Sequence, residues 1–235
     1  MSTFVLVHGG AHGAWCWSPL LPFLEAPALA LDLPGRGKRP ADLAAVTGES
    51  FAAAAASDIE RAGLTDVILV GHSMAGITLP RIADRIPERL ERLVFVSCTV
   101  PLQGQTVLET LDPDLQSMAS EMEIGETLSN GFGEQQAREM FCNDMDEQQT
   151  KFVLDNLCPE APQILSEATD LAGLRHPIPR SYVRLLRDQS LSPELQDRCI
   201  AALGTVDVLE IDSGHNVMVS NPQALAQLLN GLLAH

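Results

Sequence analysis

Long apolar runs and basic residues are both scarce in this chain. No apolar stretch reaches the ~18 residues of a membrane span, and no basic segment precedes the first apolar run, Phe4–Val7. The chain has 15 basic against 31 acidic residues, a formal charge of −16. Because such a charge is repelled by a phosphate backbone, it disfavours a nucleic-acid partner. We expect a cytoplasmic protein with no membrane and no nucleic-acid partner.

Cysteine spacing typical of a metal or disulfide site is also missing. The five cysteines are odd in number and scattered, and no two of them form a C-x-x-C pattern. We therefore predict reduced thiols that are mostly buried, rather than a disulfide framework or a zinc site. The sequence predicts no metal and no cofactor.

Short apolar runs instead alternate with helical patterns along most of the chain. At 235 residues, the chain is long enough for one α/β domain with a large core. The alternation predicts a doubly wound, mostly parallel sheet of about six strands. The predicted strands are Phe4–Val7, Ala28–Leu31, Val67–Val70, Leu93–Val96, Tyr182–Leu186 and Val206–Ile211. The predicted helices are Trp15–Leu24, Phe51–Ala62, Met74–Ile86, Pro193–Leu203 and Pro222–Leu233. Pro80 lies inside the third helix and is expected to kink it.

The alternation stops after the fourth predicted strand. Residues 101–174 contain 15 acidic residues and two basic ones, a net charge of −13, and no convincing strand pattern. Helical patterns cover Glu134–Met145 and Glu147–Leu157. We predict a helical cap at residues 101–175, inserted into a core formed by residues 1–100 and 176–235. The acidic residues of the cap either form a solvated face or disfavour anionic substrates.

Ser73 has the sequence surroundings of a catalytic nucleophile. It follows a predicted strand, in Gly71-His72-Ser73-Met74-Ala75, and a helical pattern comes next. A glycine-flanked serine at a sharp strand-to-helix turn is the layout of a nucleophile elbow, which exposes the hydroxyl above the sheet edge. The sequence departs from G-x-S-x-G because Ala75 replaces the second glycine and Gly76 comes one residue late. We predict that Ser73 attacks a carbonyl carbon.

A histidine and an aspartate follow later strands. His215 lies in the loop after the last predicted strand and is the best placed of the six histidines to act as a base. Asp188 follows the fifth predicted strand and is expected to orient the imidazole. Asp207 and Asp212 are competing candidates, but the first lies within a strand and the second is very near His215. The predicted order of serine, aspartate and histidine is that of an α/β-hydrolase.

The loop after the first predicted strand supplies the remaining candidates. Its sequence, Val7-His8-Gly9-Gly10-Ala11-His12, lets backbone N–H groups turn toward the serine. We predict that the N–H groups of Gly10 and Met74 form an oxyanion hole. A phosphate-binding loop is the competing interpretation, but neither G-x-x-x-x-G-K nor G-x-G-x-x-G is present. The glycine turn Asp32–Gly37 is interpreted as structural. The substrate pocket is predicted to be lined by two residues of the loop and two of the cap: Ala11, His12, Phe132 and Phe141.

The segment from Val7 to Trp17, VHGGAHGAWCW, resembles the plant hydroxynitrile lyase and methyl-salicylate esterase branch of the α/β-hydrolase superfamily. The resemblance to the superfamily covers essentially the full chain and implies an α/β-hydrolase fold with a helical cap. Hydroxynitrile lyases of this type carry a threonine after the first-loop histidine and a lysine directly after the catalytic histidine. Gly9 and Asn216 occupy those places here, and no lysine is available to stabilise a departing cyanide. The resemblance therefore favours an esterase.

The resulting prediction is a serine hydrolase that cleaves a small carboxylic ester through an acyl-enzyme, with Ser73, His215 and Asp188 as its triad. Two alternatives stay open at this point, because a fold does not determine a function. One is a hydroxynitrile lyase or another cofactor-free lyase on the same fold. The other is a non-catalytic receptor for a small ligand. A homodimer is also left open.

Overall fold

Six parallel strands form one sheet in the computed structural model, which describes residues 1–121 and 133–233. The strands are β1 (Thr3–Val7), β2 (Ala28–Leu31), β3 (Val67–His72), β4 (Leu90–Val96), β5 (Arg180–Leu185) and β6 (Asp207–Ile211). Their order across the sheet is β2-β1-β3-β4-β5-β6, and every neighbouring pair is parallel. The predicted α/β-hydrolase sheet is confirmed, with each strand close to its predicted place.

Helices cover both faces of the sheet. The α-helices are α1 (Gly48–Arg61), α2 (Leu79–Arg85), α3 (Val107–Thr110), α4 (Pro113–Glu121), α5 (Glu134–Phe141), α6 (Glu147–Asn156), α7 (Pro193–Leu203), α8 (Val217–Ser220) and α9 (Pro222–Asn230). Every residue of β1 and β3 is buried, because each strand packs against helices on two sides. In β1, Val5 and Val7 belong to one apolar cluster, whereas Phe4 and Leu6 belong to the other.

Prolines overturn two of the helix predictions. The predicted helix Trp15–Leu24 is wrong, because only short 3-10 turns are present, at Ala14–Trp17 and Leu21–Phe23. Pro19 and Pro22 lack the N–H groups that an α-helix would need there. The predicted helix Met74–Ile86 is divided into the 3-10 helix Ser73–Ile77 and α2. Pro80 therefore lies in the first turn of α2, where proline is tolerated, and does not kink a longer helix.

Side-chain caps fix where several helices begin. Thr47 and Ser50 form a reciprocal capping box at the start of α1. Ser192 and Asn221 cap α7 and α9, and a proline follows each of them. These local signals were legible in the sequence because each one depends on residues at most three positions apart.

The segment between β4 and β5 contains helices α3 to α6 but, among its described residues, no strand of the sheet. Its two ends lie side by side, because the Gly104 N–H donates to the Thr169 carbonyl over 2.9 Å and the Thr169 N–H donates to the Gln105 carbonyl over 2.8 Å. This arrangement is the one expected for an inserted cap, and the boundary at residues 101–175 stays a prediction. In the part of the chain that the structure describes, no helix is long and apolar enough to cross a membrane.

Candidate active site

Ser73 lies at a strained turn directly after β3. Its φ angle of 54° is in the left-handed region, which a residue with a Cβ adopts only at a cost of about 1–2 kcal/mol. A Cβ built on Gly71 would overlap the side chain of Leu79 and lie 3.0 Å from the Ala75 Cβ, so a side chain there would force both neighbours to move. A Cβ on Gly76 would lie 2.2 Å from the Thr99 carbonyl oxygen. The turn therefore needs glycine at 71 and 76 and accepts alanine at 75.

His215 connects the serine to a buried aspartate. Its Nε2 lies 3.1 Å from the Ser73 Oγ, and its Nδ1 lies 2.7 Å from the Asp188 Oδ2. A carboxylate can only accept, so Nδ1 carries the hydrogen and Nε2 presents a lone pair to the serine hydroxyl. The structure thus brings together the three residues predicted from three different strand ends.

The two competing aspartates are far from this arrangement. Asp207 is 71% exposed and pairs with Arg92 across the sheet, at 3.1 Å. Asp212 is 76% exposed and pairs with Arg187 at 2.9 Å. Neither carboxylate contacts the imidazole of His215, so Asp188 is the residue that orients it.

Ser97 is a residue of the site that the sequence did not indicate. It directly follows β4, has a φ angle of 39°, and donates its hydroxyl hydrogen to the Asp188 Oδ2 over 2.6 Å. The other oxygen of Asp188 accepts from the N–H groups of Ser190 and Leu191, at 2.7 and 2.9 Å. The only sequence signal for Ser97 was its place at a strand end beside β3, on the edge that carries Ser73.

Two backbone N–H groups beside Ser73 are free to bind an oxyanion. Gly10 and Met74 both line the cavity above the serine, and neither N–H donates to another described residue. Gly9 must be glycine, because its Cβ would lie 2.7 Å from the Ser73 Cβ. The backbone of the loop at Gly9 therefore lies directly against Ser73, which is the placement that an oxyanion hole needs.

Two buried histidines hold the shape of this loop. His8 donates its Nδ1–H to the Gly9 carbonyl at 2.8 Å and accepts the Leu33 N–H at its Nε2, at 3.2 Å. His12 donates its Nδ1–H to the Gly10 carbonyl at 2.6 Å. Burial lowers the pKa of His8 to about 3 and that of His12 to about 4, so both side chains stay neutral near pH 7.

A third buried histidine, His72, directly precedes Ser73 in the chain. Its Nε2–H donates to the backbone carbonyl of His215 over 2.9 Å. Burial holds the pKa of His72 well below the usual value of a histidine. His72 therefore supports the backbone of His215 as a neutral donor.

A second support for the His215 loop comes from the segment that follows α5. Asp144 accepts the Ser213 hydroxyl at 2.8 Å and the Gly214 N–H at 2.6 Å. Asn143 donates its amide to the Arg187 carbonyl at 2.7 Å, next to Asp188. The cap thus contacts both the loop that carries Asp188 and the loop that carries His215.

The cavity above Ser73 is small and mainly apolar, with a volume of about 120 Å³. Phe141 lines it, as predicted, whereas Ala11 and His12 are buried nearby and do not line it. The fourth predicted pocket residue, Phe132, lies outside the described residues. Apolar side chains of the cavity wall include Met74, Val107, Leu111, Met140, Leu165 and Leu191, and the buried Glu160 is an acidic residue in the wall.

The cysteines take no part in this arrangement. All five thiols are free, and four of them are buried, as predicted from their spacing. Burial raises the pKa of Cys142 and of Cys199 to about 11, so neither forms a thiolate near neutral pH. Among residues 1–121 and 133–233, no group of three or more histidine, cysteine or acidic side chains is arranged to hold a metal ion.

Comparison with curated proteins finds plant esterases along almost the full chain. Putative methylesterase 14 of Arabidopsis thaliana is 28% identical, over 96% of this chain and 70% of its own length. Esterase PIR7B of rice, Oryza sativa subsp. japonica, is also 28% identical, over 96% of this chain and 93% of its own. These relatives confirm the predicted resemblance to the esterase-containing branch of the superfamily.

Solved structures share the fold. An extracellular alpha/beta-hydrolase from a Paenibacillus species superposes with a TM-score of 0.86 at 24% identity, covering 97% of this chain and 98% of its own. Polyneuridine aldehyde esterase gives a TM-score of 0.82 at 24% identity and covers 99% of both chains. Residues 4–228 match the sequence profile of the alpha/beta hydrolase family, and the chain belongs to that family.

Proposed function

We propose that this protein is a serine esterase that hydrolyses small, uncharged carboxylic esters through an acyl-enzyme. The contact of His215 with both Ser73 and Asp188, at 3.1 and 2.7 Å, is the observation that carries the proposal. A histidine held in this tautomer is a base for the serine hydroxyl. The names of the curated relatives, methylesterases and esterases, agree with this activity.

Acylation begins when the Ser73 Oγ attacks the ester carbonyl carbon while its proton moves to the His215 Nε2. The electron pair of the carbonyl shifts to its oxygen, where the N–H groups of Gly10 and Met74 stabilise the negative charge. Asp188 stabilises the imidazolium that forms, through its bond to Nδ1–H. Collapse of the intermediate expels the alcohol, which takes the proton from Nε2. One oxyanion donor of this kind is typically worth about 3–4 kcal/mol.

Deacylation reverses these assignments with water as the nucleophile. His215 accepts a proton from the water, whose oxygen attacks the acyl carbon, and the same two N–H groups stabilise the second tetrahedral intermediate. Collapse of this intermediate breaks the bond to the Ser73 Oγ, which recovers its proton from Nε2. The carboxylic acid then leaves the site, and no cofactor takes part in the proposed cycle.

The cavity supports a small substrate. A closed apolar cavity of about 150 Å³ accommodates benzene, so a volume of about 120 Å³ suits a short alkyl or compact aryl group. The apolar wall offers little to balance a charged acyl group. We therefore expect simple neutral esters to be better substrates than esters that carry a second carboxylate.

Two positions argue against cyanohydrin cleavage. The Cβ of a threonine at position 9 would lie 2.7 Å from the Ser73 Cβ, so the turn leaves no room for that side chain. Asn216 is completely buried, and a lysine ammonium there would have to be desolvated. Both residues of the lyase pattern would therefore strain this site.

The proposal is tested with Ser73→Ala and a panel of esters, lactones and cyanohydrins. We expect wild type to hydrolyse small aryl esters and to be labelled covalently by a fluorophosphonate. Loss of the nucleophile is expected to lower kcat by about 10⁶-fold and to abolish labelling. Ser18→Ala, which changes an exposed serine outside the site, is the matched control and should keep full activity.

Three results would contradict the proposal. One is full esterase activity in Ser73→Ala, because the reaction would then need another nucleophile. Another is cyanohydrin cleavage without ester cleavage, which would assign the site to a lyase. The third is tight ligand binding with no turnover, unaffected by His215→Ala, which would identify a receptor instead.

A further inference from the structure

A buried ion pair lies behind the loop that carries Gly10. The side chains of Arg36 and Glu160 are 1% and 4% exposed, and the Arg36 guanidinium donates to the Glu160 Oε1. Arg36 also donates to the Pro159 carbonyl at 2.5 Å. Arg36 belongs to the turn after β2 that was interpreted as structural, and Glu160 lies between β4 and β5. Neither residue belongs to the triad.

The second oxygen of Glu160 contacts the loop from Val7 to His12, which is called the oxyanion loop below. Its Oε2 accepts the Ala11 N–H at 2.6 Å, while Oε1 also accepts the Ala161 N–H at 2.8 Å. Ala11 is held at a φ angle of 54°, in the left-handed region that alanine rarely adopts. On the other side of the same peptide, His12 donates to the Gly10 carbonyl at 2.6 Å. Both polar ends of the Gly10–Ala11 peptide are therefore fixed.

The carboxylate also lies close to Gly10 itself. A Cβ on Gly10 would be 3.1 Å from the Glu160 Oε2, and Glu160 lines the same cavity as Ser73. An unpaired negative charge in this position would oppose the oxyanion that forms beside Gly10, because Coulomb interactions are strong in a buried site. The positive charge of the Arg36 guanidinium, which donates to the same carboxylate, reduces the repulsion between Glu160 and the oxyanion.

We propose that Arg36 and Glu160 act together as positioning residues of the oxyanion hole. Glu160 holds the loop so that the Gly10 N–H is left without a protein acceptor, and Arg36 balances the charge of the carboxylate that does the holding. The inference rests on the proposed esterase function and adds two residues to its machinery that act through the loop carrying Gly10 rather than on the reacting atoms.

Glu160→Gln separates the two tasks of this side chain. A glutamine has one acceptor oxygen, so if that oxygen stays with Arg36, its NH₂ group faces the Ala11 N–H, donor against donor. If the amide is reversed, the NH₂ group faces the guanidinium instead. In either orientation, the glutamine side chain loses a hydrogen bond that Glu160 makes, either to Arg36 or to the Ala11 N–H. Since a displacement of about 1 Å at a catalytic group can lower the rate about 10²-fold, we expect kcat to fall by about that factor.

The readout is the affinity for an aryl trifluoromethyl ketone, compared with the matching methyl ketone. The Ser73 Oγ adds to the activated carbonyl, its proton moves to His215, and the resulting hemiketal oxyanion occupies the hole. The methyl ketone binds the same cavity with little addition. In Glu160→Gln and Arg36→Met, we expect kcat and trifluoromethyl ketone affinity to fall together, by about 100-fold and at least about tenfold respectively. KM and methyl ketone affinity should change by less than about threefold.

The matched control is Arg39→Met, which removes the Arg39–Asp58 ion pair from the same turn without touching the oxyanion loop. It should leave both ketone affinities unchanged. Arg36→Lys keeps the charge but loses the fork of donors, and it provides a second variant if Glu160→Gln fails to fold. We expect an intermediate loss of trifluoromethyl ketone affinity in Arg36→Lys.

The outcomes separate this inference from the proposed function. If wild type does not bind the trifluoromethyl ketone more tightly than the methyl ketone, the esterase proposal fails and the inference fails with it. If wild type does, but Glu160→Gln and Arg36→Lys retain that preference, only the inference is overturned. The inference is also overturned if the variants lower thermal stability alone, or if Arg39→Met loses as much affinity as Arg36→Met.

Discussion

Asp188 illustrates how completely one side chain can be fixed by its neighbours. Its Oδ2 accepts from His215 and Ser97, and its Oδ1 accepts from the backbone N–H groups of Ser190 and Leu191. Two backbone donors on one oxygen leave the carboxylate a single orientation. The carboxylate therefore presents Oδ2 to the His215 Nδ1–H, which leaves Nε2 with a lone pair facing the Ser73 hydroxyl.

Asp188→Asn is expected to trap the wrong histidine tautomer. The two backbone N–H groups will hold the amide oxygen, so the NH₂ group faces His215 and forces its Nδ1 to accept. Nε2 then carries the hydrogen and cannot take one from Ser73. We expect kcat to fall by about 10⁴-fold with little change in KM, measured on a small aryl ester.

Asp212→Asn is the control for that experiment, because it removes an exposed carboxylate only three positions before His215. Its kcat should match that of wild type. If Asp212→Asn were the variant that lost activity, the assignment of the acid to Asp188 would be wrong.

At this scale, the sequence predicted that Ser73, His215 and Asp188 lie together, but not the residues that support them. Ser73 has a recognisable turn sequence, and His215 and Asp188 follow apolar runs that are easy to locate. Ser97 and Glu160 have no local signature, because their partners are 91 and 149 positions away in the chain. Only the folded sheet edge shows that these residues share a site.

At the scale of elements, the loop after β6 depends on a residue of the cap. Asp144 accepts from Ser213 and Gly214, and its side chain is 3% exposed. The cap thus fixes the loop that carries His215, in addition to forming part of the cavity wall. This contact could not be read from the sequence, since nothing near Asp144 indicates which loop it would meet.

Asp144→Ala is expected to destabilise the protein and to slow catalysis at the same time. It leaves the Gly214 N–H without its acceptor in a buried place, which costs about 2–3 kcal/mol. Urea unfolding should report that loss, and kcat should fall while the cavity residues stay in place. Asp155→Ala changes an exposed acid of α6 and should alter the unfolding free energy by less than about 0.5 kcal/mol. Equal effects of the two variants would count against a specific role of Asp144.

The elements themselves were predictable to different degrees. The strands were placed well because each contains a short run of β-branched or aliphatic residues bounded by turns, and this pattern is present even in the half-exposed edge strands β2 and β6. The helix expected at Trp15–Leu24 does not form, because Pro19 and Pro22 lack the N–H groups that it would need. The prediction failed because it was based on the spacing of apolar residues, which takes no account of missing N–H groups. Backbone hydrogen bonding, rather than the hydrophobic pattern, determines the conformation of this segment.

At the scale of the whole molecule, three neutral histidines make stability depend on pH. The folded-state pKa values of His8 and His12, about 3 and about 4, lie below the unfolded value of about 6.5, and that of His72 is lowered as well. As pH falls below 6.5, the unfolded chain therefore binds protons that the native state does not. The unfolding free energy then decreases, by about 2 kcal/mol at pH 5 for each of His8 and His12, and His72 acts in the same direction.

His8→Gln tests that dependence with little change of contacts. A glutamine can donate to the Gly9 carbonyl and accept the Leu33 N–H, as His8 does, but it does not titrate. We expect the loss of unfolding free energy between pH 7 and pH 5, measured with urea, to be about 2 kcal/mol smaller than in wild type. An identical loss in both proteins would show that His8 does not contribute.

The cap leaves and rejoins the core through paired segments at Gly104 and Thr169, which makes it look like an exchangeable module. Its contacts limit that exchange. A cap transplanted from a relative would need a carboxylate at the place of Asp144 to hold the histidine loop. It would also need a carboxylate at the place of Glu160, to pair with the Arg36 guanidinium of the core that receives the cap. New substrate preferences can therefore evolve by changing the apolar wall of the cavity, whereas whole-cap recombination is restricted to partners that share these two anchors.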